Sequence, residues 1–501
     1  MKKIAILAFV IAAVGGGYTA ASWYFGKQTE STLAAQYDKV LENSPYIEIV
    51  DRDYQRGIFE SEETVTLELF KQFADAAAAS SDPEMAANAK PLRLTVHTLI
   101  QHGPFPGFSA LAAATTYSEV TLPESIQQEA KEVLQGKSPF SQHTTILMDG
   151  SGYATFSSPE FTTTLPGPNG DSAQPLTITW QGLEGDMHFS ADMKKSQLSA
   201  RAPELHMISQ DEMDVRISDI RLEGDQQQIF DDISLLYAGT QRMSIGELAI
   251  SVPNSGKDQL VMKQLAYDID LPHSDGFIDL VERLSIDSVL IGQDAIGPIH
   301  FDYSFKHLHA RTVAEISQAF MGIYTDPTLL NGDSQAFAEK LMPVMMEKGV
   351  SLLSKLPEFH IDRISLANSE GEVSLKGRVK LNQENLEQAM ANPMMLLTQL
   401  EASGELSLQE QMVLGLLSNP PGKEQMENTG IPAEEMEAQS QMMVAQFQQQ
   451  VAMLTDQGYL TREGDLLKSN AVFKQGQLLV NGKPFPPMAP PGAMDDDPML
   501  Q

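Results

Sequence analysis

Cysteine occurs nowhere in the 501 residues. Its absence removes disulfides, thiol catalysis, lipoprotein-type acylation, cysteine zinc sites, iron–sulfur ligation and covalent haem attachment, and it leaves the redox compartment open. Positive charge is scarce: 34 Lys and Arg stand against 67 Asp and Glu, a formal charge of −33. No window is basic enough to follow a phosphate backbone, so nucleic acid is excluded as a partner. Anionic headgroups are repelled too, although screening over roughly 8 Å at physiological salt confines that to surfaces nearly in contact. GxSxG, HExxH, a Walker P-loop, GxGxxG after a strand and an EF-hand loop are all missing, so the common catalytic, nucleotide and calcium signatures are absent. What remains is ample apolar material, 42% of the chain, over a length that implies two or more packed units.

Long apolar runs are few as well. Ile4 to Phe25 holds 22 residues without a charge, about 33 Å of helix at 1.5 Å per residue, enough to cross a bilayer. Ile4, Leu7, Phe9 and Val14 would lie in hydrocarbon, with Trp23, Tyr24 and Lys27 at the outer interface. Lys2 and Lys3 precede the run and an acidic chain follows it, which places residues 1–3 in the cytoplasm and the bulk outside. A cleaved signal peptide is the competing reading, with Thr19 and Ala21 as small residues near a cleavage point and Gly15 to Gly17 thinning the apolar core. The length of the run and its Trp-Tyr-Phe end favour a retained anchor. No second stretch reaches spanning length, so channels and transporters fall away.

The expected order is a stub (1–3), an anchor (4–26) and a stalk helix (27–45), then a β-rich domain (46–310), a helical segment (311–358), a mixed α/β region (359–485) and a disordered tail (486–501). Leu33, Tyr37, Val40 and Leu41 mark the stalk at helical spacing. Val65, Leu67 and Leu69 alternate along one strand and Leu92, Leu94, Val96 and Ile100 along another. An apolar phrase, hxhxxhxh, recurs at Val215–Leu222, Met243–Ile250, Leu260–Tyr267, Leu284–Ile291 and Phe359–Leu366. One inserted residue per copy, a β-bulge, would return both apolar pairs to one side and coil the sheet. Helical stripes then begin with Val313, Ile316, Phe320 and Ile323, and with Phe337, Leu341 and Met345. Further helices are expected at 383–400, 407–418 and 433–457, the last carrying Met436, Met443, Phe447, Val451 and Leu454 on one side. A closing hairpin turns at Gln475-Gly476 and Asn481-Gly482. The fold class is therefore α+β: a large, curved, mostly antiparallel sheet with bulged strands, C-terminal helices and a single N-terminal transmembrane helix.

Four places invite chemistry. His102 ends a strand with its ring on the apolar side. Gly103 frees the backbone and Pro104 and Pro106 fix φ, so Phe105 and Phe108 can fold back as plugs. This describes a strand-terminating corner in which imidazole caps a carbonyl, since general-base work would need an oriented partner. In Tyr54-Gln55-Arg56-Gly57-Ile58-Phe59, Gly57 makes a turn, Arg56 pairs with Asp51 or Asp53 or binds an anion, and Tyr54 and Phe59 bracket it. His307 and His309 share a strand face at a spacing that zinc sites use, but no third ligand can be named. Met342, Met345 and Met346 are the densest thioethers; such stripes belong to adaptable core more often than to copper.

An anchor ending in Trp23 and Tyr24, then YQRGIF at Tyr54 to Phe59, HGPF at His102 to Phe105, a β-rich middle and FKQGQLLVNGK at Phe473 to Lys483 together resemble the bacterial YdgA-like family. The resemblance covers residues 1 to about 485. It implies an inner-membrane-anchored protein of unknown function with a periplasmic body in a Gram-negative bacterium, and it supplies no catalytic residues and no cofactor. The hairpin close is also similar to AsmA-type envelope proteins, whose β grooves are associated with lipid; that likeness is at the level of fold. The expectation is a non-enzymatic binding or scaffolding protein holding lipid, another apolar ligand or an envelope partner in a β groove, with self-association possible through the 433–457 helix. The alternative is an exported hydrolase or metal-dependent enzyme using His102 or the His307 and His309 pair.

Overall fold

The computed structural model describes residues 17–34, 46–71, 91–108, 110–165, 175–209, 213–252, 260–292, 294–324, 334–383, 398–421 and 433–485, with isolated positions 74, 326 and 395. The chain divides into two units, Met1–Pro253 with Val313–Glu347, and Asn254–Thr312 with Lys348–Gln501. The 46–310 stretch thus contributes strands to both.

Twelve strands build the sheet of the first unit: β1 (Ile47–Arg56), β2 (Glu60–Leu69), β3 (Leu92–His102), β4 (Ala114–Thr121), β5 (Ser141–Ile146), β6 (Gly152–Ser158), β7 (Phe161–Leu165), β8 (Leu176–Trp180), β9 (Leu183–Phe189), β10 (Lys195–Ser209), β11 (Met213–Gln228) and β12 (Tyr237–Ser251). Every pairing is antiparallel. β1 to β6 form a meander, β6 pairs β9, and β10 carries β9 and β8 end to end along one edge and β11 along the other. β7 pairs β8 and β12 closes on β11. The buried face collects Val65, Ile100, Ala114, Ile146, Ala154 and Phe189, the alternation that β2 and β3 announce.

A line of interruptions crosses this sheet. Pro159 stands opposite Gly182, Gly182 opposite Pro203, Pro203 opposite Asp219 and Asp219 opposite Gly246, in registers that stay constant on both sides of the break. Gly182 and Asp219 are left-handed there, at φ 89 and 52. The two prolines have no N–H to give a ladder. The hxhxxhxh phrase at Val215–Leu222 and Met243–Ile250 straddles this crease. In both copies the two-residue gap is an interruption in unbroken register, left-handed at Asp219 in the first and marked by Gly246 in the second, not the inserted residue expected from the spacing. Gln264, at φ 50, makes the same kink in the third copy, and the fourth breaks at Asp287 with its register intact. The fifth is a true bulge: pairing slips by one residue at Asp362 against both neighbouring strands.

In the second unit, Leu260–Leu271, Phe277–Ile286, Ile299–His309, Glu358–Asn368, Gly371–Leu381, Leu400–Gln409, Leu466–Lys474 and Gln477–Val480 pair in that order, all antiparallel. Helix Ala433–Asp456 seats Val451, Phe447 and Leu454 against Leu460, Leu467 and Leu408. Helix Glu410–Ser418 starts where the Asp465 backbone carbonyl accepts from Glu410 N–H and its carboxylate accepts from Gln411 N–H. The strand at Leu400–Gln409 replaces helix at both ends of what sequence spacing had suggested: Ala402, Gly404, Leu406 and Leu408 alternate with Ser403, Glu405 and Ser407, a period of two. Helix Glu124–Val133 was also unanticipated. The 383–400 helix falls largely outside the described residues, and the 486–501 tail wholly so.

The anchor and stalk are corrected in part. Residues 17–34 form one continuous helix, α1, which runs through the anchor–stalk boundary expected at 26/27 without a break. Among the described residues no helix is long and apolar enough to cross a membrane. Ile4, Leu7, Phe9 and Val14 lie outside the described residues, whereas Trp23 and Tyr24 lie on α1, both exposed.

The crease is testable. A Cβ at Gly182 would sit 3.0 Å from the Ser158 carbonyl on a left-handed backbone, while one at Gly224 would meet only the Thr240 carbonyl at 3.9 Å. Gly182→Val is expected to destabilise the first unit by about 1–3 kcal/mol in urea titrations, and Gly224→Ala to leave it unchanged or slightly more stable.

Candidate functional site

The YQRGIF and HGPF motifs, 46 residues apart at their last positions, meet where β2 and β3 begin and end. β1 turns into β2 through Gly57, whose N–H donates to the Glu60 carbonyl at 3.0 Å, and a Cβ there would collide with that carbonyl at 2.3 Å. β3 stops at His102, whose backbone N–H donates to the Phe59 carbonyl at 2.8 Å. A cis Gly103–Pro104 bond follows. Gly103 N–H donates to the Ala113 carbonyl at 2.7 Å, and a Cβ on Gly103 would lie 2.1 Å from the Ala112 carbonyl. Glycine is obligatory at both turns because backbone occupies the space a side chain needs.

The His102 ring is buried, 1% exposed. Nδ1–H donates to the Ile58 carbonyl at 2.9 Å, which leaves Nε2 to accept from the Ser61 hydroxyl at 3.0 Å. The carbonyl that the imidazole caps therefore belongs to the other motif. Burial pushes the His102 pKa below its usual 6.5, the Ile58 bond opposing and the Arg56 charge assisting, so the ring is neutral at pH 7. With both nitrogens engaged, it has none to offer a substrate.

What covers the ring is α1. Gly26 lies so close that a Cβ would be 2.5 Å from Cε1 of His102. One turn earlier Ser22, fully buried, donates to the Gly103 carbonyl at 2.6 Å, and one turn before that Tyr18 donates to the Phe105 carbonyl at 3.0 Å. Tyr18, Ser22 and Gly26 recur every four residues and form one helical stripe. Phe25, Leu33 and Tyr54 pack on the cluster of Ile100, Ala113, Ala114 and Ile146. Arg56 pairs with Glu30 at 3.1 Å and lies 5.9 Å over the Trp23 ring, so its partner is on α1 and is neither Asp51 nor Asp53. The Tyr54 hydroxyl is buried near Ser61 without a hydrogen bond of good geometry among the described residues, and burial raises its pKa. Nothing in the spacing of the two motifs revealed that a third segment, read as membrane span, completes the site.

Beside it, on the same face of the sheet, opens an apolar trough of about 370 Å³. Leu33, Val65, Val96, Val120, Phe140 and Met187 contribute to its walls, with Glu63 at its edge. Glu63 is 2% exposed and held by Arg52 at 2.7 Å. A second depression, about 660 Å³, follows the crease past Pro159, Gly182 and Pro203; it is polar, with Lys137 and Arg201 set among Glu119, Glu160 and Glu184.

The remaining candidates are placed elsewhere. His307 stacks on Phe277 at 3.9 Å and 10°, and His309 meets the same ring edge-on while its Nδ1 bonds the Thr312 hydroxyl at 2.8 Å. His307 sits in a left-handed bulge closed by its N–H donating to Asp279 Oδ1 at 2.8 Å. No cluster of three metal-ligating side chains occurs among the described residues. Met342, Met345 and Met346 are exposed, contrary to the core role expected from their spacing; Pro343 interrupts the helix beside them and a wide turn follows at Met345–Gly349. Sequence reading missed Tyr267 and Tyr303, whose hydroxyls both donate to Glu282 from adjacent strands. Burial and that carboxylate push the Tyr267 pKa upward. The pairing of Glu282 with Tyr303 is visible only once strand register is known.

A family model described as "Bacterial protein of unknown function (DUF945)" matches residues 1–488. The chain is 19% identical over 392 residues to the protein of Escherichia coli (strain K12) called Protein YdgA, covering 75% of this chain and 74% of that one. No solved structure matches.

Two outcomes test the clamp. Gly26→Ala is expected to cost about 1–3 kcal/mol through overpacking on the imidazole. Combining it with His102→Ala should recover part of that loss, read as a non-additive double-mutant cycle in denaturant. Because the folded pKa of His102 is depressed, the unfolded chain binds more protons below 6.5, so the clamp contributes fully above that pH and is lost as pH falls through the folded pKa. Protection of the α1 amides, corrected for the intrinsic exchange rate, should fall over that range in the wild type and not in His102→Gln.

Proposed function

The chain belongs to this family of bacterial proteins of unknown function, DUF945, and from that premise we propose that it is a membrane-tethered, non-enzymatic binding protein of the cell envelope that holds an apolar ligand against the sheet of its first unit. The apolar trough between Val65, Val96, Val120 and Met187 carries this reading. Its volume of about 370 Å³ lies within the roughly 300–1,000 Å³ typical of small-ligand sites. Two of the hydroxyls in its wall, Thr98 and Ser118, are turned on each other at 2.8 Å, and Thr144 accepts from Gln142 Nε2 at 2.9 Å, which leaves a mainly apolar surface. No cation lines it and its one carboxylate is already paired, so it suits an acyl chain or another neutral apolar segment better than a charged headgroup.

The tether follows from the uncharged run beginning at Ile4, and the orientation from Lys2 and Lys3 before it, which sets the bulk of the chain on the periplasmic side. The non-enzymatic part rests on His102, the one buried histidine of the two motifs, being consumed by Ile58 and Ser61.

Native mass spectrometry of the full chain after gentle detergent extraction is expected to show a one-to-one apolar adduct. Val120→Trp, which fills the trough from a half-buried wall position, should lose the adduct while keeping the wild-type melting temperature. A bare wild-type mass under conditions that keep known lipid carriers loaded would sink the proposal.

A further inference from the structure

The tether and the clamp make competing demands on the same residues. A bilayer core about 30 Å thick needs roughly 20 helical residues, and counting from Ile4 that length ends at Trp23. Yet Tyr18 and Ser22 are already bound to the HGPF corner through the carbonyls of Phe105 and Gly103. If the first unit stood clear of the membrane, only Ile4 to Gly17 would remain, about 21 Å of helix. Both demands are met only if the corner itself enters the outer leaflet.

The corner is made for that. Phe108 is 87% exposed and Leu111 64%, and Ile58, Phe59 and Phe105 are each about half exposed. Tyr18 is stacked between Phe59 at 5.9 Å and Phe108 at 6.1 Å, so these two rings flank α1 at the end from which the apolar run emerges. No charged residue lies between Gly103 and Ala113. Three of the corner's amides are satisfied internally, Gly103 by Ala113, Phe108 by Phe105 and Ala112 by Pro104, and Pro104 and Pro106 have none to satisfy, which lowers the cost of entering a medium where an unpaired amide is expensive. Arg56, stacked over Trp23, falls at headgroup level.

We propose that Ile58–Phe59, Phe105–Phe108 and Leu111 form a collar beside α1 that seats in the outer acyl–headgroup boundary of a zwitterionic bilayer and fixes the first unit against the membrane. Tyr18 lies five residues before Trp23, which sets the immersion at about 7–8 Å, within the 5–10 Å range of interfacial elements. The partner is a neutral lipid surface, since a chain of charge −33 is repelled by an anionic one. The inference rests on the tethered reading above, and the test separates the two.

The full chain carrying Trp23→Phe and Trp180→Phe is reconstituted into phosphatidylcholine vesicles brominated near the top of the acyl chain, with Phe108→Trp or Leu111→Trp as the sole indole. The expected result is flotation with the vesicles, a blue-shifted emission and loss of most of it to bromine for both reporters, while Trp180 in a Trp23→Phe chain keeps its emission. Flotation with unquenched reporters overturns the collar and leaves the tether. Failure to float overturns the tether and the collar with it. Should Phe108→Trp disturb the left-handed backbone at that residue, Leu111→Trp reads the same surface without that constraint.

Discussion

At Gly26 the helix backbone presses against the imidazole of His102 with no room for a methyl group. That contact organises the first unit. A neutral ring held flat by Ile58 and Ser61 gives the helix a surface to lie on, and the absence of a side chain on Gly26 lets Ser22 and Tyr18 reach the carbonyls of the cis-proline corner. Phe25 and Leu33 then join the cluster under Ile100 and Ala114. Full burial of such a side chain is worth about 1.5–3 kcal/mol; Phe25 and Leu33, partly buried, contribute a share of that, and none of it is available unless the helix comes this close. The corner thus holds an entering helix in place, which accounts for a buried histidine, two glycines and two prolines without invoking catalysis.

Corner and sheet obey one logic. Where the ladder must stop or bend, the chain places residues that cannot donate or that tolerate a left-handed backbone: Gly103 and Pro104 at the end of β3, and Pro159, Gly182, Pro203, Asp219 and Gly246 in a row across the sheet. An aligned row of kinks keeps every register intact, whereas a bulge in one strand must be absorbed by its neighbours. The second unit uses both devices, a kink at Gln264 and a bulge at Asp362, where Ser304 binds the carboxylate at 2.7 Å.

Much of the secondary structure was legible because it follows from side-chain period. The alternation of β2 and β3, the helices Ala310–Tyr324 and Ala433–Asp456 and the final hairpin all stand where their spacing puts them. The strand Leu400–Gln409 was hidden between flanking helical patterns. The candidate site was half legible: the Gly-Pro-Phe corner and the QRG turn are readable as architecture from the restricted φ of proline and the freedom of glycine. Their joining was not, since hydrogen bonds between Ile58 and His102 depend on the register of β2 against β3.

The sequence by itself determined composition-level matters: no thiol chemistry, no attraction to polyanions, an uncharged run before a β-rich chain, and the family through its two motifs. These depend on residue identity and short-range period alone. Only the tertiary structure decided that the end of the apolar run lies on the sheet, that Arg56 answers Glu30 and Trp23, and that the doubled apolar phrase is an interruption in unbroken register in four places and a bulge in one. Those outcomes turn on which residues come into contact across tens to hundreds of positions, and a left-handed kink and an inserted residue leave the same one-dimensional trace until the neighbouring strand shows which pairs survive.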